Sequence, residues 1–165
     1  MNRAEAETFP PVSKELKLLR KKLHWAARDL VVSFGWVAKD KIVREVKNIF
    51  LWHTYKVETS RALDLNTIRE AIHKIKKISK AHVLEHLEAR DLCDSENELL
   101  KLTSKQRNKL VRIMVYVLKL NTERQLNYID ECVNVRTPIG LLTMSEADVV
   151  IKRVEQWEAK IILNK

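Results

Sequence analysis

Apolar residues recur at intervals of three and four along most of the chain. From Ser13 the series Leu16, Leu19, Leu23, Ala26, Ala27, Leu30 and Phe34 makes one stripe. It predicts a helix capped by Ser13, just after Pro10-Pro11, and ending at Gly35. Ile42, Val43, Val46, Ile49 and Phe50 predict a second helix over about 38–52. After a loop through 55–65 a third is expected to open at Thr67, where Thr67-Ile68-Arg69-Glu70 has the form of a capping box. Because Ile72, Ile75, Val83 and Leu87 keep the period, this helix is expected to run on through Ser79-Lys80 to about Arg90. Residues 91–103, with Asp94-Ser95-Glu96-Asn97, read as an exposed connection.

The second half repeats the plan. Ser104 is expected to cap a helix carrying Leu110, Ile113, Met114 and Val117. Thr122-Glu123-Arg124-Gln125 forms a capping box before Leu126, Ile129, Cys132 and Val133, and Thr143-Met144-Ser145-Glu146 opens the last helix. Arg20-Lys21-Lys22-Leu23 aligns with Arg107-Asn108-Lys109-Leu110, and Val43, Val46, Ile49 and Phe50 align with Leu126, Ile129, Cys132 and Val133. Thr67, Glu70, Ala71, Ile75, Lys76 and Ile78 align with Thr143, Glu146, Ala147, Ile151, Lys152 and Val154. Three matches in one order point to internal duplication. The expected architecture is all-α: a disordered tail over 1–12, a basic three-helix subdomain over 13–90, a linker over 91–103, and a second three-helix subdomain over 104–165.

Composition agrees with this pattern. Two Gly and three Pro are too few for the turns of a sheet protein, while 45% hydrophobic residues suffice for a core. No run of about 18 apolar residues offers a membrane span. The start Met1-Asn2-Arg3-Ala4-Glu5 has no apolar signal region, and Cys93 and Cys132 stand in no metal or redox spacing, so a reduced, cytoplasmic protein is expected. The net charge of +9 is unevenly placed: residues 1–80 hold 18 of the 31 Lys/Arg but 9 of the 22 Asp/Glu, and the remainder is balanced. Such asymmetry speaks of partners and solubility, and suggests that the first half meets a polyanion.

On a helical wheel Lys14, Lys17, Lys21, His24 and Arg28 fall within an arc of about 80° opposite the leucine stripe. Further basic residues follow on the second helix (Lys39, Lys41, Arg44, Lys47) and on the third (Arg69, Lys74, Lys76, Lys77, Lys80). Taken singly, such residues solvate helix faces; as a cluster they suit nucleic-acid phosphates, bound with release of counterions. The expected contacts are Lys14, Lys17, Lys21, Arg28, Lys74, Lys76, Lys77 and Lys80. Trp25, Trp36, Trp52 and Trp157 are expected to close the core, as aromatics at helix ends usually do. The segment Trp52-His53-Thr54-Tyr55-Lys56 is the exception, because Trp52 and Tyr55 amid basic residues would suit base stacking.

His82-Val83-Leu84-Glu85-His86 fits H-x-x-E-H, a zinc-peptidase spacing. That chemistry needs a further carboxylate ligand and a substrate cleft, so a plain surface helix is expected there, with no metal and no cofactor. With two Gly no phosphate loop of the Gly-rich kind can be built, and G-x-S-x-G is absent. A binding protein is expected rather than an enzyme.

Leu102-Thr103-Ser104-Lys105-Gln106-Arg107-Asn108-Lys109-Leu110, followed by Thr122-Glu123-Arg124 and then Gly140-Leu141-Leu142-Thr143-Met144-Ser145-Glu146-Ala147, resembles the Mu-like phage regulatory protein family called GemA. The likeness is clearest over 102–160 and departs at Arg136-Thr137-Pro138, where that family usually has a glycine. It implies a phage or prophage regulator working in a bacterial cytoplasm on gene expression or DNA transactions, without an established enzymatic activity, and it supplies no site residues. The leading expectation is thus a regulator that binds nucleic acid, DNA more than RNA, through its basic helices. The alternative is an adaptor or inhibitor of a host protein that binds no nucleic acid. A peripheral membrane role is not expected, and oligomeric state is not legible.

Overall fold

In the computed structural model, which describes residues 12–165, every regular element is helical. Residues 1–11 of the expected N-terminal tail lie outside the described residues. The helices are α1 (Lys14–Ser33), α2 (Asp40–Tyr55), α3 (Leu65–Lys74), α4 (Lys80–Ala89), α5 (Ser104–Val111), α6 (Thr122–Val133) and α7 (Met144–Leu163). Single 3-10 turns occur at Ser60–Ala62, Ile75–Lys77, Glu96–Glu98 and Ile139–Leu141, and a π-helical stretch, Arg112–Val117, continues α5. Among the described residues there is no strand, only the isolated bridges Trp36 to Leu100 and Lys101 to Thr143. Nor is any described helix long and apolar enough to cross a membrane.

The chain divides into two units. Among the described residues the first comprises 12–34 together with Ala38–Arg90; the second takes Gly35–Val37 and Asp91–Lys165. In the first, α1 lies at the centre and packs against α2, α3 and the turn at Ile75–Lys77, while α2 also meets α4. Six members of the predicted stripe are buried, from Leu16 to Leu30, with Val31 in place of the half-buried Phe34. The hydroxyl of Ser13 accepts from the Leu16 amide at 3.1 Å, so the predicted cap holds. The expected single helix from 67 to 90 is two helices. Ile78 is extended (φ −67°, ψ 138°), and Ser79 caps α4 by accepting from the His82 amide. The apolar period runs straight through this break because Ile75, Val83 and Leu87 are all buried, whichever helix carries them.

In the second unit α7 packs on α5, α6 and the π stretch around Leu110, Ile113, Met114, Ile129, Leu142 and Val150, all fully buried. Residues 91–103, expected as an exposed connection, belong to this unit, and Cys93, Leu99 and Leu102 are buried. The segment 35–37 joins it through the Val37 amide, which donates to the Leu99 carbonyl at 2.8 Å, and the Lys101 amide, which donates to Gly35 at 3.0 Å.

Three caps lie one to three residues earlier than expected. Asp64 caps α3 by accepting from the Thr67 amide at 2.7 Å, so Thr67 is inside the helix and no box forms with Glu70. Asn121 caps α6 in place of Thr122, and Thr103 with Gln106 forms the box that opens α5 in place of Ser104. Thr143 and Glu146 do form theirs. Consequently Thr67 is not the counterpart of Thr143. In both units a helix ends on a left-handed residue (Lys56, Asn134), a 3-10 turn follows, and the next helix starts after a cap (Asp64, Thr143). The register defined by those caps pairs Leu63 with Leu142, Ile68 with Ala147, Ala71 with Val150 and Ile75 with Val154, each buried.

Candidate functional site

The solvent face of α1 carries two interleaved series, each repeating every seven residues: Lys14, Lys21 and Arg28, and Leu18, Trp25 and Val32. Seven residues are close to two turns, so both series fall along one line of the helix. The cations are exposed, and the large apolar side chains are too, at 47%, 53% and 57%. Trp25, expected in the core, therefore stands between Lys21 and Arg28 on the surface.

This line meets basic residues of α2 along one edge. Burial holds the His24 imidazole below its ordinary pKa; Lys47, Arg44 and Arg28 push it the same way, against the opposing pull of Asp40. The Lys47 ammonium is lowered as well, by burial first and then by Arg44. Three cations thus act on one imidazole, and Arg44 acts on Lys47 as well, with Asp40 as the opposing acid at His24. Assembling like charges raises the free energy of the folded chain, and a polyanion laid on them relieves it. Arg44 and Lys47 were expected as basic residues but not as part of the contact surface. Their proximity to His24 and Arg28 comes from the packing of α2 on α1 and has no sequence signature; the seven-residue spacing around Trp25 does.

The eight expected contact residues do not share one face. Lys14, Lys17, Lys21 and Arg28 lie on α1, all exposed. Lys74 and Lys77 instead line a cavity of about 410 Å³ together with His53 of α2 and His82 of α4. Arg44 and His53 are nine residues apart on α2, about two and a half turns, so they leave that helix on opposite sides. Lys74 is ion-paired with Glu70, Lys76 is exposed on the 3-10 turn, and Lys80 is half-buried at the start of α4. On the other flank of α1, Arg69 pairs with Glu15.

Trp52 and Tyr55, expected as a stacking pair, have different surroundings. Trp52 is exposed and lines a cleft of about 360 Å³ with Glu45, Asn48, Glu58 and Arg90, where two carboxylates oppose a phosphate. Arg90 is committed to Glu45 at 3.1 Å. Tyr55 meets Phe50 edge-on at 6.0 Å, and its buried hydroxyl has no hydrogen-bond partner. Trp36 is buried, with Nε1 donating to Glu96 Oε1 at 3.0 Å, and Trp157 lies 5.1 Å from Tyr128.

Within the H-x-x-E-H segment the rings of His82 and His86 lie 4.2 Å apart, tilted by 53°, and His86 Nδ1 lies 2.8 Å from the His82 carbonyl oxygen. Among the described residues no group of three or more His, Cys, Asp or Glu is arranged to hold a metal. Compared with known proteins, the chain matches no family model, no curated protein and no solved structure.

Proposed function

We propose that this chain is a nucleic-acid-binding regulatory protein of the phage type, without catalytic activity, that binds DNA in preference to RNA through the exposed face of α1 and its edge with α2. The observation that carries the reading is the gathering of Arg28, Arg44 and Lys47 around His24 at the α1–α2 edge, where burial and then these neighbouring cations hold the imidazole below its ordinary pKa, next to exposed Lys17 and Lys21. Such a group favours a ligand with closely spaced negative charges, and phosphates along a backbone supply them. Trp25 adds a flat apolar surface between two cations, which suits a base. The phage part of the reading rests on the likeness of residues 102–160 to Mu-like regulators and on nothing else.

The test is binding to a labelled random-sequence duplex and to the matching single strand across a salt series. Tight binding with a steep salt dependence is expected. Changing Lys17, Lys21 and Arg28 together to Glu should weaken it and reduce the slope of log K against log salt by about 3, near one unit per lost phosphate contact. Unchanged affinity in that variant would remove α1 from the site. No binding by the wild type at low salt would favour the second reading, in which the protein is an adaptor or inhibitor of a host protein. The heptad-spaced Leu18, Trp25 and Val32 favour that reading, since an acidic amphipathic helix could lay its apolar face on them. Nucleic acid would then not compete for the partner.

A further inference from the structure

The cavity beside His53 lies on a different side of α2 from the α1 edge and carries different chemistry. Its apolar part is Phe50 and Ile78; its polar rim is His53, Lys74, Lys77 and His82. Lys74 is occupied by Glu70, whereas Lys77 has no acidic partner among the described residues. His82 Nε2 is buried without a hydrogen-bond partner, an uncompensated loss of hydration that an oxygen atom placed in the cavity would repair. The His53 ring lies 4.5 Å from the same imidazole, tilted by 57°. Ser79, which also lines the cavity, caps α4, so the amides of that helix's first turn open nearby.

We infer that this cavity binds a phosphomonoester with an apolar or aromatic body, its phosphoryl oxygens meeting Lys77, His53 and His82 and its body lying on Phe50 and Ile78. The inference goes beyond the nucleic-acid reading and does not depend on it. Two donors and a lysine suit a dianion with several acceptor oxygens, and the apolar floor selects against inorganic phosphate alone. The groups facing the His82 ring are His86 and Glu85 on α4, His53 on α2, and Lys74 and Lys77 across the cavity. Burial first, and then His86 and His53, hold that imidazole below its ordinary pKa, with Glu85 opposing. A bound dianion reverses the balance and favours the protonated ring.

The probe is phenyl phosphate, titrated into the full chain and followed by the ring-proton resonances of the histidines and by calorimetry. The expected result is movement of the His53 and His82 resonances, a higher apparent pKa for His82 in the complex, and weaker binding of inorganic phosphate and of phenol than of phenyl phosphate. Lys77→Gln, at an exposed position, should weaken binding roughly tenfold or more without changing the fold. His82→Gln should do the same, with circular dichroism reporting whether it folds. Unmoved His53 and His82 resonances at millimolar phenyl phosphate, or wild-type affinity in Lys77→Gln, would overturn the site. Equal affinity for inorganic phosphate would overturn the role of Phe50 and Ile78. The two sources of such a group separate by competition. Displacement of phenyl phosphate by a 5′-phosphorylated strand, but not by its 5′-hydroxyl counterpart, supports a strand end as the ligand; displacement by neither supports a small phosphomonoester.

Discussion

Gly35 ends the first helix with φ +81°, a left-handed conformation that an L side chain adopts only at a cost. A β-carbon there would meet Leu100 Cδ2 at 3.7 Å, ordinary contact, so the cost of substitution lies in the backbone and not in a clash. Gly140 sits in the turn Ile139–Leu141 with nothing within 4 Å of a built β-carbon and no such φ. Gly35→Ala should therefore destabilise the chain by about 1 kcal/mol, and Gly140→Ala should be neutral or slightly stabilising. Thermal denaturation of the two variants side by side checks this; equal midpoints would show that the backbone at Gly35 is not strained by a side chain. The same residue was legible as a helix end, but its pairing with Lys101 was not, because the partner lies 66 residues along the chain.

At the scale of the element the caps carry the clearest prediction. The Thr143 hydroxyl accepts from the Glu146 amide at 3.2 Å, and the Glu146 carboxylate accepts from the Thr143 amide at 2.9 Å. Thr67, in a similar sequence, caps no helix: its amide and its hydroxyl both donate to the exposed Asp64 carboxylate. Thr143→Ala should cost about 1 kcal/mol and Thr67→Ala much less. For a chain of this size the first change lowers the thermal midpoint by roughly 2–4 °C. Similar losses at the two sites would mean that the T-x-x-E-A segments are capping equivalents after all. Sequence alone favoured Thr67 because a capping box is read from four residues, whereas the cap three positions earlier is Asp64, which needs only one acceptor.

For the whole molecule, His24 and His82 link folding to pH. Both are held below the ordinary histidine pKa, with burial the largest cause in each. In the unfolded chain they protonate near about 6.5, so below that pH the unfolded state binds more protons than the folded one. The stability owed to their neutral forms is thus complete above that value and is lost as pH falls through it toward their lower folded pKa values. Denaturant midpoints measured from pH 8 down to 5 should fall, and the double variant His24→Gln/His82→Gln should show a shallower decline. A wild-type profile that stayed flat would contradict the lowered pKa of both half-buried rings.

The all-helical class and the course of α1 could be read from the sequence, because a three-and-four spacing of apolar residues buries one face of a helix wherever that helix ends up. The excess of positive charge in the first half was equally plain, since charge needs only counting. Three features were decided by the tertiary structure. The break at Ile78 was hidden because buried residues on both sides keep one period across it. The incorporation of 91–103 into the second unit depends on backbone pairing with Gly35–Val37, which no local pattern encodes. The separation of the cations into an α1–α2 edge and a cavity with His53 and His82 follows from helical phase, for Arg44 and His53 are near in sequence yet leave α2 on opposite sides. Sequence lists which side chains are charged; the packing of helices decides which of them meet.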